Sequence, residues 1–276
     1  MSTHLFHESR LSREHFVHIA AYGFHAVELF ATRTHFDYHD IQAVVRLAEW
    51  LSDTRLELHS LHAPICKGLN GGQWLGPFSN ASSDATRRAS ALAETRAALQ
   101  VARHIPYRFL VVHLGVPSSA QGTSDDNQPD AARRSLEEIV TIAADFKVRV
   151  AVEVIPNQLS SAAELVHLIE NHLNDLDIGI CLDYGHAHLM GDLGEAIETV
   201  SGYLWTTHLH DNYGLNDDHL VPFAGKIDWA SATVETQKIG YDDVLMFEVG
   251  NTGDPIEVLQ RSAQARERLE ATFVSL

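Results

Sequence analysis

The sequence predicts a single closed (β/α)₈ barrel, a parallel sheet rolled up inside a ring of helices. Three observations predict it. The chain has 276 residues, within the ordinary range for one such barrel and long enough to bury a large core without disulfides. Short apolar runs alternate with longer amphipathic stretches from end to end, the pattern of a parallel sheet covered by helices. Each of the later apolar runs also delivers an acid or an imidazole at its end.

Eight runs are expected strands: THLF (3–6), AVELF (26–30), LELHSLHA (56–63), RFLVVHLG (108–115), RVAVEVI (149–155), IGICLDYG (178–185), LWTTHLHD (204–211) and VLMFEVG (244–250). The expected helices lie between and after them. SREHFVHIAAYG opens on Ser12 and stops at Gly23, the usual punctuation of a helix. IQAVVRLAEWLSD, DATRRASALAETRAALQVARHI, AARRSLEEIVTIAADF, SAAELVHLIENHL and PIEVLQRSAQARERLEATFVSL complete the set. Long connections at 65–84 and 116–131 come after strands, so they fall on the barrel's C-terminal face, where active sites are made. They are candidate substrate loops. No repeat beyond the strand–helix alternation is visible, and residues 1–276 are read as one domain.

Composition narrows the function. The net charge is −17 with no block of Lys or Arg, so nucleic acid is a disfavoured partner. Two cysteines, Cys66 and Cys181, are too few for a disulfide framework, and Cys181 within IGICLDYG reads as core. With no leader-like start and no apolar run of membrane length, the expectation is a soluble, cytoplasmic protein. The 18 histidines nearly match the 20 Lys plus Arg, and many close apolar runs, where ligands and acid–base groups stand.

Taken together, the strand ends offer His62, His113, Glu153, Asp183, His186, His208, His210 and Glu248, with Asp217 and His219 in the loop after 204–211. Tilted barrel strands bring such side chains to a common centre. Carboxylates gathered there repel one another at low dielectric, and a dication is the simplest offset. Mixed carboxylate and imidazole donors suit Mn²⁺, Zn²⁺, Mg²⁺ or Co²⁺.

The ordered motifs HAP (62–64), VVHLG (111–115), AVEVIPN (151–157), CLDYGHAHLMGD (181–192), HLHDN (208–212), DDH (217–219), GKIDW (225–229) and FEVG (247–250) resemble the xylose isomerase-like barrel superfamily, from about Ser9 to Gly250. That superfamily holds sugar and sugar-phosphate isomerases and epimerases together with endonuclease IV. The resemblance implies one divalent metal on Glu153, Asp183, His208 and Glu248, with Glu153 and Glu248 as the catalytic base and acid. They would move a proton through a metal-stabilised enediolate of a small sugar or sugar phosphate, and dehydration by the same chemistry is a close variant. Within the HLH pair it implies His208 as ligand, three residues before Asp211-Asn212, and leaves His210 facing away or supporting the loop. His186 and His219 would orient hydroxyls, and His62 and His113 would line the pocket or hold a second ion.

The alternative that the resemblance implies is a trinuclear phosphodiesterase using His62, His113, Glu153, Asp183, His186, His208, Asp217, His219 and Glu248. A non-catalytic sugar-binding or metal-storing barrel is the third reading. Arg33 and Lys226 are candidate phosphate contacts, and Trp74 and Phe78 candidate caps over a sugar face. The superfamily's G-x-G before Ile-Asp-Trp stands here as Ala224-Gly225-Lys226, which leaves that loop's geometry open. An amphipathic C-terminal helix allows a homo-oligomer.

Overall fold

The computed structural model describes residues 1–70, 73–119 and 123–274. Among these residues seven parallel strands form the wall: β1 (Ala26–Phe30), β2 (Glu57–His62), β5 (Phe109–Val112), β6 (Arg149–Glu153), β7 (Ile178–Asp183), β8 (Leu204–Leu209) and β9 (Leu245–Phe247), hydrogen-bonded in that order. They are almost wholly buried, as a sheet with helices on one face and a packed barrel interior on the other requires.

The first expected strand is corrected. Residues Thr3–Phe6 form a 3₁₀ helix, and the closing stave is reduced to Met1 and Ser2. The Ser2 amide donates to the Phe247 carbonyl at 2.7 Å, and the Glu28 amide donates to the Met1 carbonyl at 3.2 Å, so this stub links β9 to β1. Side chains explain why the ladder stops. Ser2 Oγ accepts from the His4 amide, and Thr3 Oγ1 accepts from the Phe30 amide at 2.9 Å, the bond a longer strand would have made with its backbone.

The other expected strands are present and end earlier than expected where a residue at the mouth caps the next helix. Asp183 closes β7 and caps helix α6 (Tyr184–Met190), its Oδ1 accepting from the His186 amide at 2.7 Å. The long helices α1 (Arg13–Ala21), α2 (Ile41–Thr54), α3 (Ala85–Leu99), α4 (Pro129–Ala144), α5 (Ala162–His172) and α9 (Pro255–Val274) match the amphipathic stretches. Helices α7 (Leu193–Thr199) and α8 (Trp229–Lys238) were not foreseen. None of the described helices is long and apolar enough to cross a membrane.

Of the two long connections, the first contains an antiparallel hairpin, β3 (Cys66–Asn70) and β4 (Gln73–Pro77), where a loop was expected. Trp74 and Leu69 pack there against Phe30, Ile65 and Cys66, tying the hairpin to the end of β1. The second is pinned by Asp126, which is fully buried and accepts from Arg87 and from the Thr123 amide. Residues 120–122 of this connection lie outside the described residues.

Candidate metal centre

The strands deliver their last inward side chains to one place. Glu153, Asp183, His208 and Glu248, all buried, each offer a ligand atom, and these atoms lie within 4.8 Å of one another. Glu153 also belongs to a second group with His62 and His113, and a third group joins His186, His210, Asp217 and His219. Glu153 connects the groups through its two oxygens. Oε2 faces His62 Nε2 at 3.1 Å and His113 Nε2 at 3.0 Å, while Oε1 faces His208 Nδ1 at 3.2 Å.

The imidazoles are oriented by the bonds on their far sides. His62, His186 and His219 turn Nδ1 to the carbonyls of Ala63, Val154 and Glu248, which fixes the proton there and leaves Nε2 for the centre. His208 is reversed: its Nε2 donates to Glu28 Oε2 at 3.0 Å, and Nδ1 faces the carboxylates. Such outer bonds are what metal-binding histidines make. The donor set fits a divalent ion, and one buried atom at the centre, Glu248 Oε1, has no hydrogen-bond partner among the described residues.

Glu28 is a residue of the candidate site that the strand-end pattern missed. It is fully buried in β1, held also by Ser2 and Ser60, and it sets the His208 ring. Its signal was available: a glutamate inside the apolar run AVELF needs a buried partner.

His210 is a correction. It is expected to face away or support the loop, but strand side chains alternate with period two, so His210 follows His208 onto the inner side. Its Nε2 donates to Asp183, 2.9 Å from Oδ1, and its ring stacks on His219 at 4.0 Å between centroids. Gly185 makes this possible, since a Cβ there would come within 2.0 Å of the His210 ring. His219 has φ of 45°, a left-handed conformation uncommon outside glycine, which accompanies its aim at Asp217.

Charge at the centre is balanced by proton sharing. Burial alone would push Glu153 up, but His113 and His208 outweigh it and hold the carboxyl well below its usual range. Glu28 is likewise brought down to about 2, burial opposing and His208 prevailing. Burial pushes Glu248 up to about 7, only partly offset by His208 and reinforced by Glu153. Against their burial, His62 is raised to about 9 by Glu153 and His219 to about 9 by Asp217.

The remaining expected contacts lie outside this cluster. Arg33 is half exposed and paired with Asp37 at 3.2 Å, and the Lys226 side chain is exposed. The loop at Ala224-Gly225-Lys226 is nevertheless well defined. Asp211, fully buried, accepts from the amides of Asn212 and Ile227 and from Trp229 Nε1, and the Lys226 amide donates to the Asn212 carbonyl. Only Gly225 must be glycine there, because a Cβ would meet the Asn212 carbonyl at 2.4 Å. Trp74 is half-buried and Phe78 buried.

A family model described as xylose isomerase-like TIM barrel matches residues 16–272. An uncharacterised protein of Methanocaldococcus jannaschii is 27% identical over 191 residues, 63% of this chain and 65% of the relative, so the match spans just under two thirds of that protein. Among solved structures, a D-tagatose 3-epimerase-like protein superposes with a TM-score of 0.73 at 23% identity, covering 93% of this chain and 91% of the other. The IOLI protein with a bound zinc atom gives 0.72 at 18% identity, covering 98% and 95%. At these identities the structural likenesses speak for the fold alone, and the match along nearly the whole sequence carries the assignment: this chain belongs to the xylose isomerase-like TIM barrel family.

Proposed function

We propose that this protein is a divalent-metal-dependent isomerase or epimerase of a small sugar or sugar phosphate, moving a proton on the carbon beside a carbonyl. The observation that carries the reading is the convergence of Glu153, Asp183, His208 and Glu248 at the C-terminal mouth of the barrel, with their ligand atoms within 4.8 Å of one another. A bound divalent ion would supply charge stabilisation for the oxygens of a hydroxy-ketone, making the neighbouring C–H more acidic. The names of the structural neighbours, an epimerase-like protein and a zinc-bound barrel, support the same reading.

The chain's own residues divide the proton work. Glu153 is held ionised by His113 and His208 and is the candidate base. Glu248 is the candidate acid: its Oε1 is unpaired, and with no ion bound burial pushes its carboxyl up to about 7. Asp183, fixed by His210 and the His186 amide, has no such freedom and serves as a ligand.

The test is exchange of a substrate C–H with solvent. Protein loaded with Mn²⁺ and given D-tagatose or D-fructose in deuterated water is expected to incorporate deuterium beside the carbonyl. Glu153→Gln is expected to lose that exchange by about 10²- to 10⁴-fold while remaining folded. Exchange retained in the variant would remove Glu153 from the role of base.

The two further ligand groups favour a second reading, a multinuclear phosphodiesterase like endonuclease IV. The net charge of −17 disfavours it, because a phosphate backbone needs a cationic track. Metal analysis separates the two: one ion per chain supports the isomerase, and three with cleavage of abasic DNA support the nuclease.

A further inference from the structure

We propose that His4 is a substrate-binding residue whose Nε2 accepts a hydrogen bond from a hydroxyl of a polyol seated over the metal centre. The proposal rests on the sugar reading above and assigns one contact within it.

The chain places His4 at the mouth because the closing stave ends early. The Ser2 hydroxyl caps the first 3₁₀ turn, and Thr3 Oγ1 takes the Phe30 amide, so the backbone turns beside the last residue of β1. The His4 ring then stands edge-on to Phe30 at 4.9 Å, stacks on His7 at 4.5 Å and lies 4.7 Å from the His219 ring. Phe30 in turn lies 5.2 Å from His62. His4 therefore sits between two groups of candidate ligands without belonging to either.

Its tautomer is set by the protein. Nδ1 is 3.3 Å from the Val249 carbonyl, which can only accept, so Nδ1 carries the proton and Nε2 keeps a lone pair. Nε2 has no hydrogen-bond partner among the described residues. His4 is half-buried, whereas His35 and His210, which also carry an unpaired ring nitrogen, are wholly buried. A ring stacked on His7, edge-on to Phe30 and beside His219, with its one acceptor unpaired, is arranged to receive a donor. Glu153, Glu28 and Asp217 are engaged by imidazoles, and the unpaired Glu248 Oε1 belongs to the group proposed to hold the ion, so a hydroxyl approaching the His4 side has Nε2 as an acceptor.

The test uses full-length protein loaded with Mn²⁺, with D-tagatose and D-fructose as probes. His4→Phe keeps an aromatic ring against Phe30 and His7 but removes the acceptor. It is expected to weaken binding of the sugar five- to tenfold, the scale of one neutral hydrogen bond, with Mn²⁺ content unchanged and kcat within about twofold. One monodeoxy analogue should lose the same factor against the wild type and nothing further against His4→Phe. Equal affinity of wild type and His4→Phe overturns the proposal, as does a loss spread evenly over all deoxy analogues.

Should His4→Phe not fold, ¹⁵N-imidazole NMR of the wild type loaded with diamagnetic Zn²⁺ decides. The His4 Nε2 resonance, assigned by its disappearance in His4→Gln, shifts on adding sugar if the contact is made, and an unmoved resonance under saturating sugar overturns it. Wild type that binds the sugar without exchanging its C–H refutes the isomerase and leaves the His4 contact standing. Wild type that binds neither sugar refutes both.

Discussion

The two ends of the barrel are built from the same strands and have opposite chemistry. β6 begins with Arg149 stacked 3.4 Å from the centre of the Trp205 ring and ends with Glu153 at the ligand cluster. β7 begins beside Gly179, where a Cβ would come within 2.1 Å of Trp205, and ends with Asp183. β2 carries His59 against Phe109 at the lower end and His62 against Glu153 at the upper. Within three or four residues each strand changes from packing to polar convergence. The lower end therefore serves mainly stability, and the upper end carries the candidate chemistry at some cost in stability.

That division can be broken from the upper end first. Glu248→Gln removes the candidate acid but also a buried carboxyl that burial pushes up to about 7. We expect activity to fall by about 10³-fold, with the melting temperature unchanged or raised. A stability loss matching the activity loss, read by calorimetry beside the exchange assay, would mean that Glu248 is structural.

Paired glycines sharpen the comparison, because each makes room for one ring. Gly179→Ala drives a Cβ into Trp205 and is expected to cost about 2–3 kcal/mol, a fall of about 5–10 °C in melting temperature, with Mn²⁺ affinity retained in the folded protein. Gly185→Ala drives a Cβ into the His210 ring, which fixes Asp183. Its expected signature is a 10- to 100-fold loss of Mn²⁺ affinity, seen by titration calorimetry. If both variants lost stability and metal alike, the two ends would not be separable.

The same division decides what could be read from the sequence. Strand positions were legible where apolar residues run together, as in 26–30 and 149–155, because burial on both faces leaves a composition that does not depend on neighbours. Glu153, Asp183, His208 and Glu248 were legible as polar residues that a packed barrel would not place at strand ends, and the structure gathers them as one group. The stave at 3–6 was not, because hydroxyls of Ser2 and Thr3 replace ladder bonds, a competition between side chain and backbone that periodicity does not register. Glu28 and the inward aim of His210 were not legible because they depend on partners far along the chain, His208 and Asp183, whose side of the wall appears only when the ring closes. Helix α6 takes the last two residues of the expected strand 178–185, since a cap is read from what it bonds and not from its identity alone.

The smallest expected effect is also the most direct comparison of the two ends, for His59 and His62 lie three residues apart on β2. Burial lowers His59 to about 4, with Asp243 and Arg108 opposing each other around it. His62 is equally buried, yet the hydrogen bond and charge of Glu153 override burial and raise it to about 9. The signs of the linked stabilities are therefore opposite. An unfolded histidine titrates near 6.5, so His59 destabilises the fold progressively as pH falls from 6.5 towards 4, by about 1–2 kcal/mol at pH 5. His62 contributes stability that is fully present below 6.5 and is lost as pH rises through about 9. Urea unfolding of metal-free protein across pH 5–9 should show His59→Leu flattening the acid limb and His62→Gln flattening the alkaline limb. A curve in which both substitutions flatten the same limb would mean that burial, and not the carboxylate at the mouth, governs both ends.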